Sequence, residues 1–176
     1  LVDEASGQVK RILAGASDVT ERIEAQETLK THVVQQAVVA ELGLLALNTV
    51  DREQIMQHVA VLCEQVLSVG FVSIFEYQTK DQHLVCVNLS RPDSPFKVGE
   101  IISNDFLISL EAYTLKSQEA IISEDLADEP RFKPVPSLLQ ANYGSAAGIM
   151  IMGNNNTPYG VLSVYSKITH DFTHDE

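Results

Sequence analysis

The spacing of apolar positions changes several times along this chain. Asp51 heads the segment "DREQIMQHVAVLCEQVL", in which Ile55, Val59, Leu62 and Val66 recur four and three residues apart, with Met56, Ala60, Cys63 and Leu67 widening the stripe. That period predicts an amphipathic helix, entered through Asp51 and Gln54 and ended by Gly70. The period then falls to two. In "FVSIFEYQT" Phe71, Ser73, Phe75 and Tyr77 alternate with Val72, Ile74 and Glu76, and "HLVCVNL" follows through the turn "KDQ" as the second strand of a hairpin. Both strands carry apolar residues on both faces, so the sheet must be covered on two sides.

Further along, "RPDSPFKVGE" reads as loop, "FLISLEAYTLKSQ" as helix and "AIIS" as a short strand. A long proline-punctuated stretch follows, with a short helix expected around Leu138. "SAAGIMIMG" and "GVLSVYSK" form a last hairpin around "NNNTPYG", whose Asn, Pro and Gly are turn formers. The class is α+β, with a central antiparallel sheet. The region from Glu111 to Gly144 can roof the sheet face that the helices leave open. A roof of loop and short helix over an apolar sheet is a natural small-molecule pocket. It is equally what completes a core, and the pattern allows both.

Upstream, Leu1 to Ala16 read as part of a hairpin, expected to be the tail of a preceding domain because a lone hairpin is marginal in water. Asp18 then caps a helix, with Glu21 completing a capping box. Val19, Ile23, Gln26, Lys30, Val33, Ala37, Ala40, Leu44 and Leu47 follow one another four and three residues apart, a heptad seam that is weak where Gln26 and Lys30 fall on it. A continuous helix over that span is about 43 Å long, against a domain little more than ~30 Å across. One end should project, and the seam predicts pairing with a second copy. A solvated linker helix is the alternative.

Composition narrows the partners. The 176 residues are 45% apolar and 20% charged, with a net charge of -12, an ordinary globular balance with a negative surface. Nucleic acid and anionic membrane are disfavoured, because phosphate binding needs clustered lysine and arginine. No apolar run reaches membrane-spanning length, and the start does not read as a signal peptide. The cysteines, Cys63 and Cys86, lie in apolar stretches of different elements and read as reduced, buried thiols of a cytoplasmic protein. The histidines (His32, His58, His83, His170, His174) are scattered and offer no metal spacing. No nucleophile elbow or phosphate loop occurs, and the acidic run Glu124, Asp125, Asp128 and Glu129 has no acid/base spacing. Catalysis is not expected.

The order of the segments "AELGLLAL", "GFVSIFEY", "HLVCVNL", "AYTLKSQEAIISEDLADEPRF" and "GVLSVYSK…FTHDE" resembles a GAF domain, over about Val34 to Glu176. "GQVKRILAGASDVTERIEAQETLK" resembles the last strand and exit of a PAS domain, with Asp18, Val19 and Thr20 at the exit. The resemblance implies a PAS remnant at 1–18, a signalling connector helix at 19–33 and a GAF domain at 34–176, its C-terminal helix missing. The fold it implies is a sheet of five to six strands with helices on one face and a loop and short-helix roof on the other. It implies a sensory module of a bacterial two-component or cyclic-di-GMP protein, working through a downstream effector domain in the same parent chain. Such a module binds a small molecule, pairs as a homodimer through N-terminal helices, or does both. Ligand-lining residues carried over are Ser73 and Phe75 of the first strand, Leu110, Glu111 and Tyr113 of the short helix, and Leu138 and Asn142 of the roof. Cyclic-nucleotide-binding relatives carry an Asn-Lys…Phe…Asp-Glu motif. Ser166, Lys167, Phe172, Asp175 and Glu176 stand there, with Ser in place of Asn and the last spacing one residue short. Glu111 to Gly148 contain neither Cys nor His, so no bilin or haem is expected. Cys63 lies on a packing helix, unlike the cysteines of GAF-fold sulfoxide reductases. A ligand-free dimerisation scaffold is the main alternative, ahead of a chromophore-binding or redox-enzyme domain.

Overall fold

The computed structural model describes residues 51–103, 109–167 and Phe172. The expected PAS remnant, the connector helix, the heptad seam, His32, His170 and His174 lie outside the described residues. Those described belong to one compact unit, Asn48–Glu176.

Six strands form a single antiparallel sheet: β1 (Phe71–Gln78), β2 (His83–Leu89), β3 (Ile101–Ser103), β4 (Ile121–Ser123), β5 (Ser145–Met152) and β6 (Pro158–Ser166). Their order is β3-β2-β1-β6-β5-β4. Two three-stranded meanders thus meet where β1 pairs with β6, so the first and last strands lie at the centre. The described helices are α1 (Arg52–Leu67), α2 (Leu110–Ser117) and α3 (Pro136–Gln140).

Helix α1 covers one face. Asp51 caps it by accepting a hydrogen bond from the Glu53 N–H at 3.0 Å. Ala60 is fully buried, and Met56, Cys63 and Leu67 pack with it on Val72, Ile74 and Val164. The other expected stripe, Ile55, Val59, Leu62 and Val66, stays half-buried. The small Ala60 lets the helix approach the sheet along its own side, so the second of the two apolar stripes is the one that docks. At the opposite end Arg52 pairs with Glu76 at 3.0 Å and lies over the Tyr159 ring, fastening α1 to β1 and β6.

The other face carries the roof. Phe71, Phe75 and Tyr165 from the central strands meet Phe96 and Tyr143 in an aromatic cluster, with Tyr165 stacked on Phe71 at 4.7 Å. Leu110, Leu115, Leu126, Phe132 and Leu138 close over it. The irregular stretch from Glu124 to Gly144 is therefore core-forming, and backbone bonds tie it down: Leu126 N–H to Gly144 O at 2.7 Å and Gly144 N–H to Ser166 O at 2.9 Å.

Two glycines carry roles that the sequence pattern misassigns. Ser68, at φ 53°, and not Gly70, is the left-handed residue that ends α1. Gly70 is small because a Cβ there would lie 2.7 Å from the Tyr143 ring. Gly160, expected in the final turn, lies inside β6, where a Cβ would fall 1.9 Å from the Phe75 carbonyl oxygen. The strand Ile101–Ser103 also had no sequence signal. Its three residues pair with His83–Val85 at the sheet edge, a run too short to show a period.

Candidate functional site

Under α2 the sheet narrows to small residues. Ser73 on β1 faces Ser163 on β6, and Ser163 faces Gly148 on β5. This strip of two hydroxyls and a bare backbone lets α2 approach closely. A Cβ added to Gly148 would lie 2.7 Å from Thr114 Oγ1 and 3.2 Å from Leu110 Cγ. The helix is held at both ends, by Ser109, whose side chain accepts from Ala112 N–H at 3.2 Å, and by Gln118 in the left-handed conformation.

Because α2 lies flat on this strip, Glu111 has no path to solvent; it is completely buried. The Tyr165 hydroxyl donates a hydrogen bond to Glu111 Oε1. Glu111 Oε2, Thr114 Oγ1, Ser73 Oγ and Ser163 Oγ are buried without a well-formed hydrogen bond in the protein, although Ser163 stands close enough to Glu111 to act on its charge. Burial pushes the Glu111 carboxyl above its ordinary range, against Tyr165, its own backbone N–H, Ser109 and Ser163, which favour the ionised form. Tyr165 is pushed well above the ordinary phenol value by burial first and by the Glu111 charge second. Cys86, fully buried nearby on β2, is pushed up to about 12 by burial, then by the Glu100 and Glu111 carboxylates, against a backbone hydrogen bond at Asn88. The result is a buried polar cluster beneath α2: one carboxyl, one phenol, one thiol and three hydroxyls.

Of the seven residues expected to line a ligand, Ser73 and Glu111 belong to this centre. Phe75, Leu110 and Leu138 are buried in the apolar core around it. Tyr113 is half-buried at the roof, its ring 5.8 Å from that of Phe132. Asn142 is exposed at φ 60°, where it turns the chain after α3; the structure does not bring it to the centre. Sequence reasoning passed over Thr114, Ser163, Tyr165 and Cys86. The one signal was polar residues at alternate positions in "VLSVYS", which put Ser163 and Tyr165 on one face of a strand otherwise apolar.

A concavity of about 120 Å³ lies elsewhere, near β4, β5 and β6, lined by apolar residues including Leu67, Leu162 and Phe172. Among the described residues no group of His, Cys, Asp and Glu is arranged to hold a metal ion. None of their helices is long and apolar enough to cross a membrane.

Among the described residues, a strand pair joining two meanders, a helix on one face and a roof over a buried centre on the other define an α+β domain. The family model for the GAF domain matches residues 49–176, and the chain belongs to that family. No curated protein matches it. Solved structures share the fold. The GAF domain of a phosphoenolpyruvate-protein phosphotransferase from Coxiella burnetii superposes with a TM-score of 0.68 at 19% identity, covering 84% of this chain and 83% of that one. A free methionine-R-sulfoxide reductase from Neisseria meningitidis, in complex with its substrate, gives 0.65 at 13%, covering 82% and 79%. The GAF domain of a two-component sensor histidine kinase from Bacillus halodurans gives 0.50 at 20%, covering 61% and 70%.

Proposed function

We propose that this chain is the non-enzymatic sensory module of a bacterial cytoplasmic signalling protein of the two-component or cyclic-di-GMP type. A small molecule held between the sheet and the roof changes the position of α2, and helices pairing with a second copy carry the change to an effector domain. In the same reading residues 1–18 end a PAS domain and residues 19–33 form the connector. The observation that carries ligand binding is the set of four orphaned polar atoms on Glu111, Thr114, Ser73 and Ser163. Each costs about 1–3 kcal/mol when buried without a partner, so a centre built only for packing would hold apolar residues here. The likeness to a histidine kinase domain supports the signalling context. The burial that raises both thiols argues against a cysteine nucleophile.

One feature favours the ligand-free scaffold instead: Thr114 and Leu110 sit so tightly on Gly148 that α2 itself fills the space above the strip. A ligand must therefore lift α2 to enter, which is what would couple occupancy to conformation. Native mass spectrometry of the chain separates the readings. The sensor predicts a dimer with a reproducible added mass, and the scaffold a bare dimer. A bare monomer across micromolar concentrations refutes pairing.

A further inference from the structure

Resting on the reading of a roof-side ligand site, we propose that its ligand is a small organic cation with N–H donors, an alkylammonium, amidinium or guanidinium, whose charged head meets Glu111 under α2.

The polar inventory of the centre selects this class. Glu111 presents one carboxyl oxygen already engaged by Tyr165 and one with no partner, both fully buried. A carboxylate oxygen in that state asks for a donor, and a charged donor most of all, since charge-assisted bonds are roughly twice as strong as neutral ones. The groups acting on Glu111 are hydroxyls and its own backbone, and none is a cation. The charges acting on the neighbouring thiol are the carboxylates of Glu100 and Glu111. An anionic ligand such as a phosphate or carboxylate would be buried with no cation among these groups to offset its charge. The hydroxyls of Ser73, Ser163 and Thr114 can accept further N–H groups of the same head.

Three molecules of equal size test the assignment on the full chain: phenethylamine, phenethyl alcohol and phenylacetate, titrated by ¹H–¹⁵N NMR at pH 7. The expected result is a preference for the amine of about tenfold or more, equivalent to ~1.4 kcal/mol, with shifts centred on Ser73, Glu111 and Ser163. Glu111→Gln should reduce the preference to within about threefold. A second readout needs no variant: the preference of the unaltered chain for the amine over the alcohol should shrink as pH is lowered, because protonating the raised Glu111 carboxyl removes the charge that selects the cation. Equal or better binding of the alcohol or the acid, or an amine preference that does not change on acidification, overturns the cation assignment while leaving the roof-side site in place. Failure of all three to bind overturns both.

Discussion

Replacing Arg131 by Met should destabilise the domain by an amount that shrinks as the solution is acidified. Arg131 reaches Glu129 through Nε and Nη2, each 2.7 Å from a carboxylate oxygen, and its backbone N–H adds a third bond at 3.0 Å. Nη2 also donates to the Ile122 carbonyl, which ties the roof to β4. The Glu129 side chain is only 3% exposed and that of Arg131 38%. Burial opposes ionisation of Glu129, yet the Arg131 side-chain and backbone hydrogen bonds, a Ser123 hydrogen bond and the Arg131 charge together outweigh it and hold the carboxyl at about 2 against an ordinary 4.5. At 1.36 kcal/mol per decade that gap is worth roughly 3 kcal/mol; the Ser123 and backbone bonds that survive R131M, and solvent around the exposed part of the guanidinium, lower the share lost to about 2 kcal/mol. The bond to Ile122 adds about 1 kcal/mol at every pH. Because the folded value lies below the unfolded one, the pair's stabilisation is complete above pH 4.5 and is lost as pH falls through 2. Urea unfolding should therefore find R131M less stable by about 3 kcal/mol at pH 7 and by about 2 kcal/mol at pH 3. A difference that is flat, or that widens on acidification, refutes the assignment of Glu129 as a depressed, paired carboxylate.

Glu111 should behave with the opposite sign. Its folded value is raised, so the folded state holds a proton that the unfolded state has lost, and stability falls as pH rises from the ordinary carboxyl value towards the folded one. Thermal unfolding of Glu111→Gln relative to wild type should accordingly improve with rising pH through that window. Gly160→Ala places a methyl 1.9 Å from the Phe75 carbonyl, so β1 and β6 must part; loss of more than ~3 kcal/mol or of soluble expression is expected, by chemical denaturation or yield. Cys86 should stay unmodified by iodoacetamide in the native protein at pH 8, while mass spectrometry finds both cysteines alkylated in denaturant.

Much of the architecture is local and was readable as such. Asp51 caps α1 because a short acidic side chain can satisfy an N-terminal N–H from one residue before the helix, and that geometry needs nothing distant. The alternation in Phe71–Gln78 and the apolar run of Ser145–Met152 beside turn formers predict strands, and apolar residues on both faces predict two covering layers, because a strand's side chains alternate whatever its partner. Glu111 could be placed in a short helix over the sheet from its segment and from the GAF resemblance.

Its meaning could not. The Tyr165–Glu111 bond joins residues 54 apart in the chain, and the strip beneath α2 exists only because β1, β6 and β5 align Ser73, Ser163 and Gly148 in register. Register is a property of paired strands, so no one-dimensional pattern contains it. Gly160 looks like a turn former until the Phe75 carbonyl is seen against it, and Asn142 looks like a pocket residue until its positive φ turns it to solvent. Sequence determined which segments would be strands and helices, since those preferences are carried by neighbours a few residues apart. Tertiary structure alone decided which polar groups are stripped of water together, because burial depends on everything packed around them.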